Sequence, residues 1–348
     1  MKIVIDDNIP YIKGRLEPVA DTLYVDQFGF TPENVRDADA IVIRTRTLCN
    51  ESLLGHSRVR LIATATIGMD QIDIPWCAER GISVNNAPGC NAPGVAQYVW
   101  SALLREGFDL VRHTLGVVGC GNVGGIVAEW GRLLGTRVVV SDPPRQRAGI
   151  EDDYMPLDKL MAECDAVTLH TPLTRTGEDP TFHLADKAML ASMRPGALLV
   201  NAARGPVVDS GALLEELRAG RIRAVLDTWE GEPVVNKELL SLTDYGTFHI
   251  AGYSREGKQR ATRMALEALE KGLGIVVDKS GLEGAYRPHK AISAEGIMAS
   301  YDPGTDSDSL KAAPELFDTL RRNYDFRPEY RPEYRPEADT SSTCKTSS

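Results

Sequence analysis

Three side chains that could together oxidise an alcohol lie at the ends of short β-branched runs: Arg204, Glu232 and His249. Oxidation of a hydroxy acid needs a base for the hydroxyl proton, a cation for the carboxylate or nascent carbonyl, and a group that orients the base. His249, Arg204 and Glu232 supply these functions in that order. Taken singly, they also fit a loop histidine, a surface ion pair and a solvated turn residue. Because carboxyl ends of parallel strands face the ligand crevice of a doubly wound sheet, we expect the three to meet there.

A glycine-rich segment, GCGNVG at residues 119–124, directly follows an apolar run and opens a helical pattern. In that context the glycines allow a tight turn, close approach of a pyrophosphate to the helix N-terminus, and close packing of helix on strand. The bare motif is often a simple turn, so its place between strand and helix is what favours a dinucleotide site. From this loop we predict cofactor contacts by Gly119, Gly121, Asn122, Val123 and Gly124.

The choice between NAD and NADP depends on Asp142, which ends the next predicted strand. It lies about 20 residues beyond the glycine turn, where a carboxylate grips the ribose 2′-hydroxyl of NAD. Arg145 and Arg147 are close enough in sequence to meet a 2′-phosphate, but Asp142 would repel that group. A plain turn residue is the alternative for Asp142, and NAD is the cofactor that the sequence favours.

Composition points away from nucleic-acid and membrane partners. The 348 residues are 43% hydrophobic and 25% charged, with a net charge of -10, whereas a phosphate-binding surface is basic. No apolar run reaches the ~18 residues of a membrane helix, and no signal-peptide core precedes the first aspartates. The six cysteines lack metal-ligand spacing and suit a reducing compartment. We therefore expect a cytoplasmic protein that binds no metal.

Short β-branched runs recur at the spacing of βα units along the chain. This spacing predicts two α/β lobes with parallel sheets, which would position these groups. We predict a flavodoxin-like substrate lobe at residues 1–92 plus 256–280 and an NAD-binding Rossmann lobe at residues 93–255. Helical patterns at residues 93–107 and 256–272 lie near the two boundaries. The predicted strands are residues 3–5, 23–25, 40–43, 61–64, 82–84, 115–118, 138–140, 166–169, 198–201, 224–227 and 247–250.

The end of the chain has a different character. Leu310, Leu316, Phe317 and Leu320 keep a helical apolar face, which predicts a small packed element over residues 281–326. Residues 327–348 repeat Arg-Pro-Glu-Tyr and finish in Ser and Thr, so we predict a disordered, solvated tail there.

Over residues 1–280 the sequence resembles the D-isomer-specific 2-hydroxyacid dehydrogenases. The resemblance rests on the glycine loop and on residues 201–205, 227–233 and 249–252. It implies that Arg204, Glu232 and His249 are the catalytic arginine, glutamate and histidine. Glu230 is not the catalytic glutamate, because the family's glutamate immediately precedes the proline. The resemblance implies further cofactor contacts by Asp142, Thr171, Ala202, Ala203, Arg204, Asp227 and Gly252.

Further segments, including residues 6–10, 50–54 and 87–92, resemble the matching segments of one member of the family. The substrate of that member is a phosphorylated hydroxy acid. That resemblance implies substrate contacts by Thr45, Thr66 and Tyr253, and a homodimer built through the C-terminal region. Arg44 and Arg46 flank Thr45 and could hold a phosphate through charge-assisted hydrogen bonds, although plain surface charge fits them equally well.

Two other functions remain open. The substrate could be 3-phosphoglycerate or an unphosphorylated hydroxy acid, because pocket size is not readable from sequence. The chain could also be an NAD(H)-sensing regulatory scaffold, which the presence of all three reacting groups disfavours.

Overall fold

The computed structural model describes residues 1–26 and 28–332, which divide into two compact units. The first unit comprises Met1–Ala92 and Tyr253–Arg287, and the second comprises Pro93–Gly252 and the described residues from Pro288 to Pro332. The sequence predicts a first boundary at 92/93, a return to the first lobe at 255/256 and a separate element from residue 281. Among the described residues, no helix combines the length and apolar character that crossing a membrane requires.

Strands and helices alternate along most of the chain. The strands are β1 (Lys2–Asp6), β2 (Asp21–Val25), β3 (Ala40–Ile43), β4 (Leu61–Thr64), β5 (Ser83–Asn85), β6 (Thr114–Val118), β7 (Arg137–Ser141), β8 (Ala166–Leu169), β9 (Leu198–Asn201), β10 (Arg223–Leu226) and β11 (Tyr245–Gly246). The helices are α1 (Pro32–Val35), α2 (Glu51–Leu54), α3 (Ile74–Glu79), α4 (Ala92–Arg105), α5 (Asn122–Leu133), α6 (Pro143–Arg147), α7 (Leu157–Glu163), α8 (Lys187–Ser192), α9 (Ser210–Arg218), α10 (Lys237–Leu242), α11 (Arg255–Leu273), α12 (Ala294–Ser300), α13 (Pro303–Ala312) and α14 (Phe317–Arg322). Short 3-10 turns span Gly205–Val207 and Pro314–Leu316.

The first unit is a five-stranded parallel sheet with the order β2-β1-β3-β4-β5. This is the flavodoxin-like order, so the predicted fold of this lobe is confirmed. Both faces of β1 are buried, since Ile3 and Ile5 pack in one apolar cluster and Val4 packs in another. Continuous apolar strands of this kind are typical of parallel sheets covered on both sides.

Helix α11 covers one face of that sheet and has a fixed start and end. Ser254 Oγ accepts a hydrogen bond from the N–H of Gly257 at 3.1 Å, which caps the N-terminus. Gly274 ends the helix in the left-handed region, with φ of 69°. Between them Ala265, Leu266 and Leu269 pack in the cluster that contains Ile3.

The second unit is a six-stranded parallel sheet with the order β11-β10-β9-β8-β6-β7. The strand order reverses between β6 and β8, and the crevice outside the carboxyl ends of strands at such a reversal is the usual ligand site. The predicted parallel Rossmann-type lobe is therefore confirmed. The last strand was placed wrongly: it is only Tyr245–Gly246, not residues 247–250. Side-chain and backbone hydrogen bonds to Asp227 hold the stretch after Gly246 in a loop, as described below.

The C-terminal region packs in the second unit. Its apolar face is split between α13 and α14, with Leu310 and Phe317 buried but Leu316 largely exposed, and α12 was not predicted. Arg327 and Tyr330 belong to the predicted solvated tail but are buried, at 8% and 3% exposure. The Tyr330 ring lies edge-on to Trp130 at 5.4 Å, which explains why this first repeat is ordered. The rest of the predicted tail, residues 333–348, lies outside the described residues.

Candidate active site

The three predicted reacting residues follow three neighbouring strands of the second sheet. Arg204 comes after β9, Glu232 after β10 and His249 after β11, and these strands are hydrogen-bonded neighbours in parallel register. The carboxyl ends of parallel strands share one edge of the sheet, so the topology brings the three segments to the same edge.

His249 and Glu232 form a close hydrogen-bonded pair. His249 Nδ1 lies 2.6 Å from Glu232 Oε1, and each side chain is 26% exposed. Burial raises the pKa of Glu232, but the charge and hydrogen bond of His249, the N–H of Trp229 and the charge of Arg321 together bring it below its usual value. An ionised carboxylate only accepts hydrogen bonds, so His249 Nδ1 carries the proton that it donates to Glu232. This arrangement leaves Nε2 as the imidazole atom for proton exchange.

The backbone that carries His249 is held by Asp227. His249 has a φ of 61°, an uncommon conformation outside glycine, and its N–H donates to the carbonyl of Asp227 at 2.8 Å. The Asp227 carboxylate, 1% exposed, accepts from the hydroxyl of Thr247 and the N–H of Ile250, both at 2.7 Å, and from the N–H of Ala251 at 2.9 Å. These bonds satisfy the loop's buried polar groups and fix the unusual backbone. Asp227 was predicted as a cofactor contact, and that role stays a prediction.

Arg204 is placed by a tight approach of two loops. A Cβ on Gly205 would lie 2.0 Å from the carbonyl carbon of Trp229, so only glycine allows this packing. Asn201 braces the turn, donating from Nδ2 to the Arg204 carbonyl at 3.0 Å and accepting from the N–H of Ala203 at 3.1 Å. The half-buried Arg204 is thus tied by its backbone to the segment that leads into Glu232.

The glycine turn between β6 and α5 fits a bound pyrophosphate. Gly119 has a φ of 82°, and a Cβ on Gly124 would lie 1.9 Å from the Gly119 carbonyl oxygen, so both glycines are required by the fold itself. Gly121 differs, because its φ of -76° suits any residue and a Cβ there would meet nothing within 4 Å. The chain's own packing does not require glycine at 121, whereas close approach of a ligand to the helix N-terminus does.

Asp142 lies beside this turn, as the sequence predicts for a ribose-binding carboxylate. Its two oxygens accept from the N–H of Cys120 at 2.7 Å and from the N–H of Arg145 at 3.0 Å. A carboxylate offers about four acceptor sites, so capacity remains for ribose hydroxyls. Asp142 therefore joins the glycine turn to the N-terminus of α6.

Across the strand reversal, two residues after β8 carry buried polar atoms that a bound ligand could use. Within residues 1–26 and 28–332, neither Thr171 Oγ1 nor His170 Nδ1, both buried atoms, has a hydrogen-bond partner. A Cβ on Gly119 would lie 2.9 Å from the His170 carbonyl carbon, which places both residues beside the glycine turn. Thr171 was predicted as a cofactor contact. His170 was missed, although its position directly after a buried strand could have indicated it.

A second histidine–carboxylate pair was also missed. His183 Nε2 lies 2.8 Å from Glu230 Oε1, and the His183 backbone N–H donates to the Pro206 carbonyl at 2.8 Å. Glu230 Oε2 accepts from the N–H of Ser210 at 3.3 Å. The pair braces the segment after Arg204, and sequence spacing offers no signal for a contact of this range.

Four of the residues predicted to bind substrate follow two neighbouring strands of the first sheet, with Arg44, Thr45 and Arg46 after β3 and Thr66 after β4. Arg44 follows β3 and donates to the Asn8 carbonyl at 3.1 Å, and Thr66, after β4, shares a 2.7 Å hydrogen bond with Thr64. Thr45 and Arg46 are exposed. The ring of Tyr253 has the Lys258 ammonium 3.5 Å from its centroid.

A doubly wound sheet, a dinucleotide turn and a histidine–glutamate pair at one sheet edge define a nicotinamide-dependent dehydrogenase. Residues 93–251 match the family model described as "D-isomer specific 2-hydroxyacid dehydrogenase, NAD binding domain". The chain belongs to the D-isomer-specific 2-hydroxyacid dehydrogenase family. Its cofactor is NAD, and it acts on a CH–OH group.

Curated relatives match nearly the whole chain. The erythronate-4-phosphate dehydrogenase of Bacteroides fragilis is 46% identical over 339 residues, covering 94% of this chain and 97% of the relative. That of Klebsiella pneumoniae is 40% identical over 348 residues, covering 94% and 92%.

Solved structures show the same fold. D-lactate dehydrogenase from Aquifex aeolicus, complexed with NAD and lactic acid, has a TM-score of 0.65 at 23% identity and covers 79% of this chain and 96% of that one. NAD+-bound 3-phosphoglycerate dehydrogenase from Entamoeba histolytica has a TM-score of 0.65 at 24% identity and covers 82% and 99%. At these identities the likeness concerns the fold alone.

Proposed function

We propose that the protein oxidises 4-phospho-D-erythronate to (R)-3-hydroxy-2-oxo-4-phosphooxybutanoate with NAD, a step of pyridoxine (vitamin B6) biosynthesis. The 2.6 Å bond between His249 and Glu232, at the sheet edge that also carries Arg204, is the observation that supports the chemistry. The substrate is supported by the names of relatives at 46% and 40% identity over nearly the full length.

The reaction divides among the three side chains. His249 Nε2 takes the C2 hydroxyl proton while Glu232 holds the imidazole through Nδ1 and balances the positive charge that develops. Arg204 binds the carboxylate end of the substrate and stabilises the developing carbonyl oxygen. When bound, NAD supplies the acceptor for the C2 hydride, so C2 becomes a ketone. The residues that would hold NAD are those of the glycine turn, together with Asp142, Thr171, Ala202, Ala203, Arg204, Asp227 and Gly252.

In this proposal the first unit recognises the rest of the substrate. Thr66 and its loop help to hold the carboxylate end, and Thr45 and Tyr253 are further contacts. Arg44 and Arg46 bind the phosphate. Both arginines lie at the carboxyl end of β3, where a guanidinium pair suits a dianion.

We also propose that the protein is a cytoplasmic homodimer. The homodimer comes from the resemblance to dehydrogenases with a C-terminal dimerisation region, and light scattering on the purified protein tests it. A cytoplasmic location is supported by buried cysteines that form no disulfide within the described part of the chain, among them Cys49, Cys77, Cys120 and Cys164.

The proposed substrate is tested by comparing two phosphorylated acids. We expect the kcat/KM of NADH formation to be much higher for 4-phospho-D-erythronate than for 3-phosphoglycerate. A higher kcat/KM for 3-phosphoglycerate would assign the chain to a different member of the same family. Turnover of neither acid by folded, NAD-bound protein would contradict the proposal.

A further inference from the structure

The first Arg-Pro-Glu-Tyr repeat places a buried guanidinium against the loop that carries His249. Arg327 is 8% exposed, and all three of its guanidinium nitrogens donate hydrogen bonds. Nη1 donates to the Ile250 carbonyl at 3.0 Å, and Nη2 donates to the Ala251 carbonyl. Further acceptors are the Gly94 carbonyl at 3.1 Å, the Tyr324 hydroxyl at 3.2 Å and Gln97 Oε1 at 3.4 Å.

Arg327 and Asp227 therefore hold the same stretch of backbone, in which Arg327 binds carbonyls and Asp227 binds N–H groups. The peptide group between Ile250 and Ala251 donates its N–H to the Asp227 carboxylate, and its carbonyl accepts from Arg327. The next carbonyl, that of Ala251, is also bound by Arg327. The Ile250–Ala251 peptide group, one residue beyond His249, is thus fixed by a buried cation and a buried anion.

Burying a guanidinium costs more free energy than burying an apolar side chain of similar size. The guanidinium stays charged at any ordinary pH, and a buried charge is tolerated only when its donors are satisfied. Here backbone carbonyls take most of the donors, and the Tyr301 ring lies 4.1 Å from the guanidinium carbon. An apolar side chain could fill this volume, but it could not restrain the carbonyls of Ile250 and Ala251.

We propose that Arg327 is a positioning residue for catalysis, which fixes the backbone that carries His249. The C-terminal segment thereby acts on the reaction through the loop after β11. This inference rests on the proposed role of His249 as the catalytic base.

The test compares Arg327→Met with Arg331→Met in the full chain. Arg331 occupies the same place in the next repeat and is exposed, so it is a matched control. We expect Arg327→Met to lower kcat with 4-phospho-D-erythronate by about 100-fold, the scale of a 1 Å displacement of a catalytic group. The KM for NAD should stay close to that of the wild type, and Arg331→Met should match the wild type in both constants.

Hydrogen–deuterium exchange gives a second readout that does not depend on turnover. In Arg327→Met the amides of Ile250 and Ala251 should exchange faster than in the wild type, because their loop is restrained from one side only. A wild-type kcat in a folded Arg327→Met variant would overturn the inference, as would unchanged exchange at these two amides.

Arg327→Lys keeps the inference testable if the methionine variant does not fold. Lysine keeps the charge but lacks the fork that reaches two carbonyls, so we expect a smaller loss of kcat and faster exchange of the same amides. Wild-type values of both in Arg327→Lys would then overturn the inference. A fully active His249→Asn variant would instead contradict the proposed function, while the exchange result would still report on the contact with Arg327.

Discussion

At the scale of single residues, Arg204 shows how position and chemistry combine. Its backbone is fixed by Asn201 and by the close approach of Gly205 to Trp229. A guanidinium can meet a carboxylate with a planar fork of donors, whereas a lysine ammonium is a single point of charge.

We expect Arg204→Lys to lower kcat/KM for the hydroxy acid by about 10- to 100-fold. A charge-assisted hydrogen bond contributes roughly 1.5 to 3 kcal/mol, and each 1.4 kcal/mol is tenfold in rate. Steady-state kinetics measure the effect. Arg218→Lys is the control, because Arg218 pairs with Glu238 on the surface of α9 and α10. Equal losses in the two variants would argue against a role for Arg204 in substrate binding.

His170 makes a prediction about pH and stability. Burial of the imidazole lowers the pKa of His170 to about 3. The unfolded chain takes up this proton below about pH 6.5, so between about pH 6.5 and 3 the unfolded state binds more protons, and stability falls as pH falls. His170→Asn should flatten the dependence of the free energy of unfolding on pH in this window. Urea unfolding of cofactor-free protein measures it, with the exposed His56→Asn as control; a slope unchanged from wild type would contradict burial of His170.

At the scale of elements, the glycine turn offers two adjacent helical glycines with different surroundings. A Cβ on Gly124 would lie 1.9 Å from the Gly119 carbonyl oxygen, but a Cβ on Gly125 would lie no closer than 3.7 Å to its nearest neighbour. Alanine in a helix otherwise stabilises by roughly 0.5 to 1 kcal/mol relative to glycine.

We therefore expect Gly124→Ala to weaken NAD binding and lower the free energy of unfolding. Gly125→Ala should leave the free energy of unfolding unchanged or raise it slightly. Thermal unfolding and titration with NADH compare the two variants directly. Similar NADH affinity in both would show that close packing at Gly124 does not shape the cofactor turn.

The elements also show which features sequence could predict. Strands β3, β4, β8 and β9 have the predicted bounds, because continuous β-branched runs between turn residues define buried parallel strands. The position of β11 was predicted wrongly, since the strand is Tyr245–Gly246 but residues 247–250 have the composition of a strand. Their conformation is decided by hydrogen bonds to Asp227, far away in sequence, and no local pattern encodes these bonds.

At the scale of the whole molecule, both parallel sheets follow from the βα rhythm, and the turn between β6 and α5 follows from the glycine motif. The burial of Arg327 and Tyr330 could not be predicted in this way. The Arg-Pro-Glu-Tyr repeats read alike in sequence, and the contacts of the first repeat with Trp130 and with the loop after β11 join residues far apart in the chain, so no local pattern encodes them. The hydrogen bond between His183 and Glu230 could not be predicted either, because it also joins residues far apart in sequence.

Thermal unfolding can measure cofactor preference, because a dinucleotide that binds the folded protein stabilises it. A ligand at about 100 times its Kd stabilises the folded state by about 2.7 kcal/mol. We expect NAD to raise the Tm and NADP at equal concentration to raise it much less, because Asp142 would repel the 2′-phosphate. Equal shifts with the two dinucleotides would contradict the role of Asp142 in ribose recognition.

The most direct test of the catalytic pair is a double-mutant cycle on kcat with 4-phospho-D-erythronate and NAD. His249→Asn alone should lower kcat by about 100- to 10,000-fold, the usual contribution of a positioned acid–base group. Groups that act as one unit are not additive, so adding Glu232→Gln to His249→Asn should cause little further loss. Losses that multiply in the double variant would mean that Glu232 and His249 act independently and would contradict the proposed mechanism.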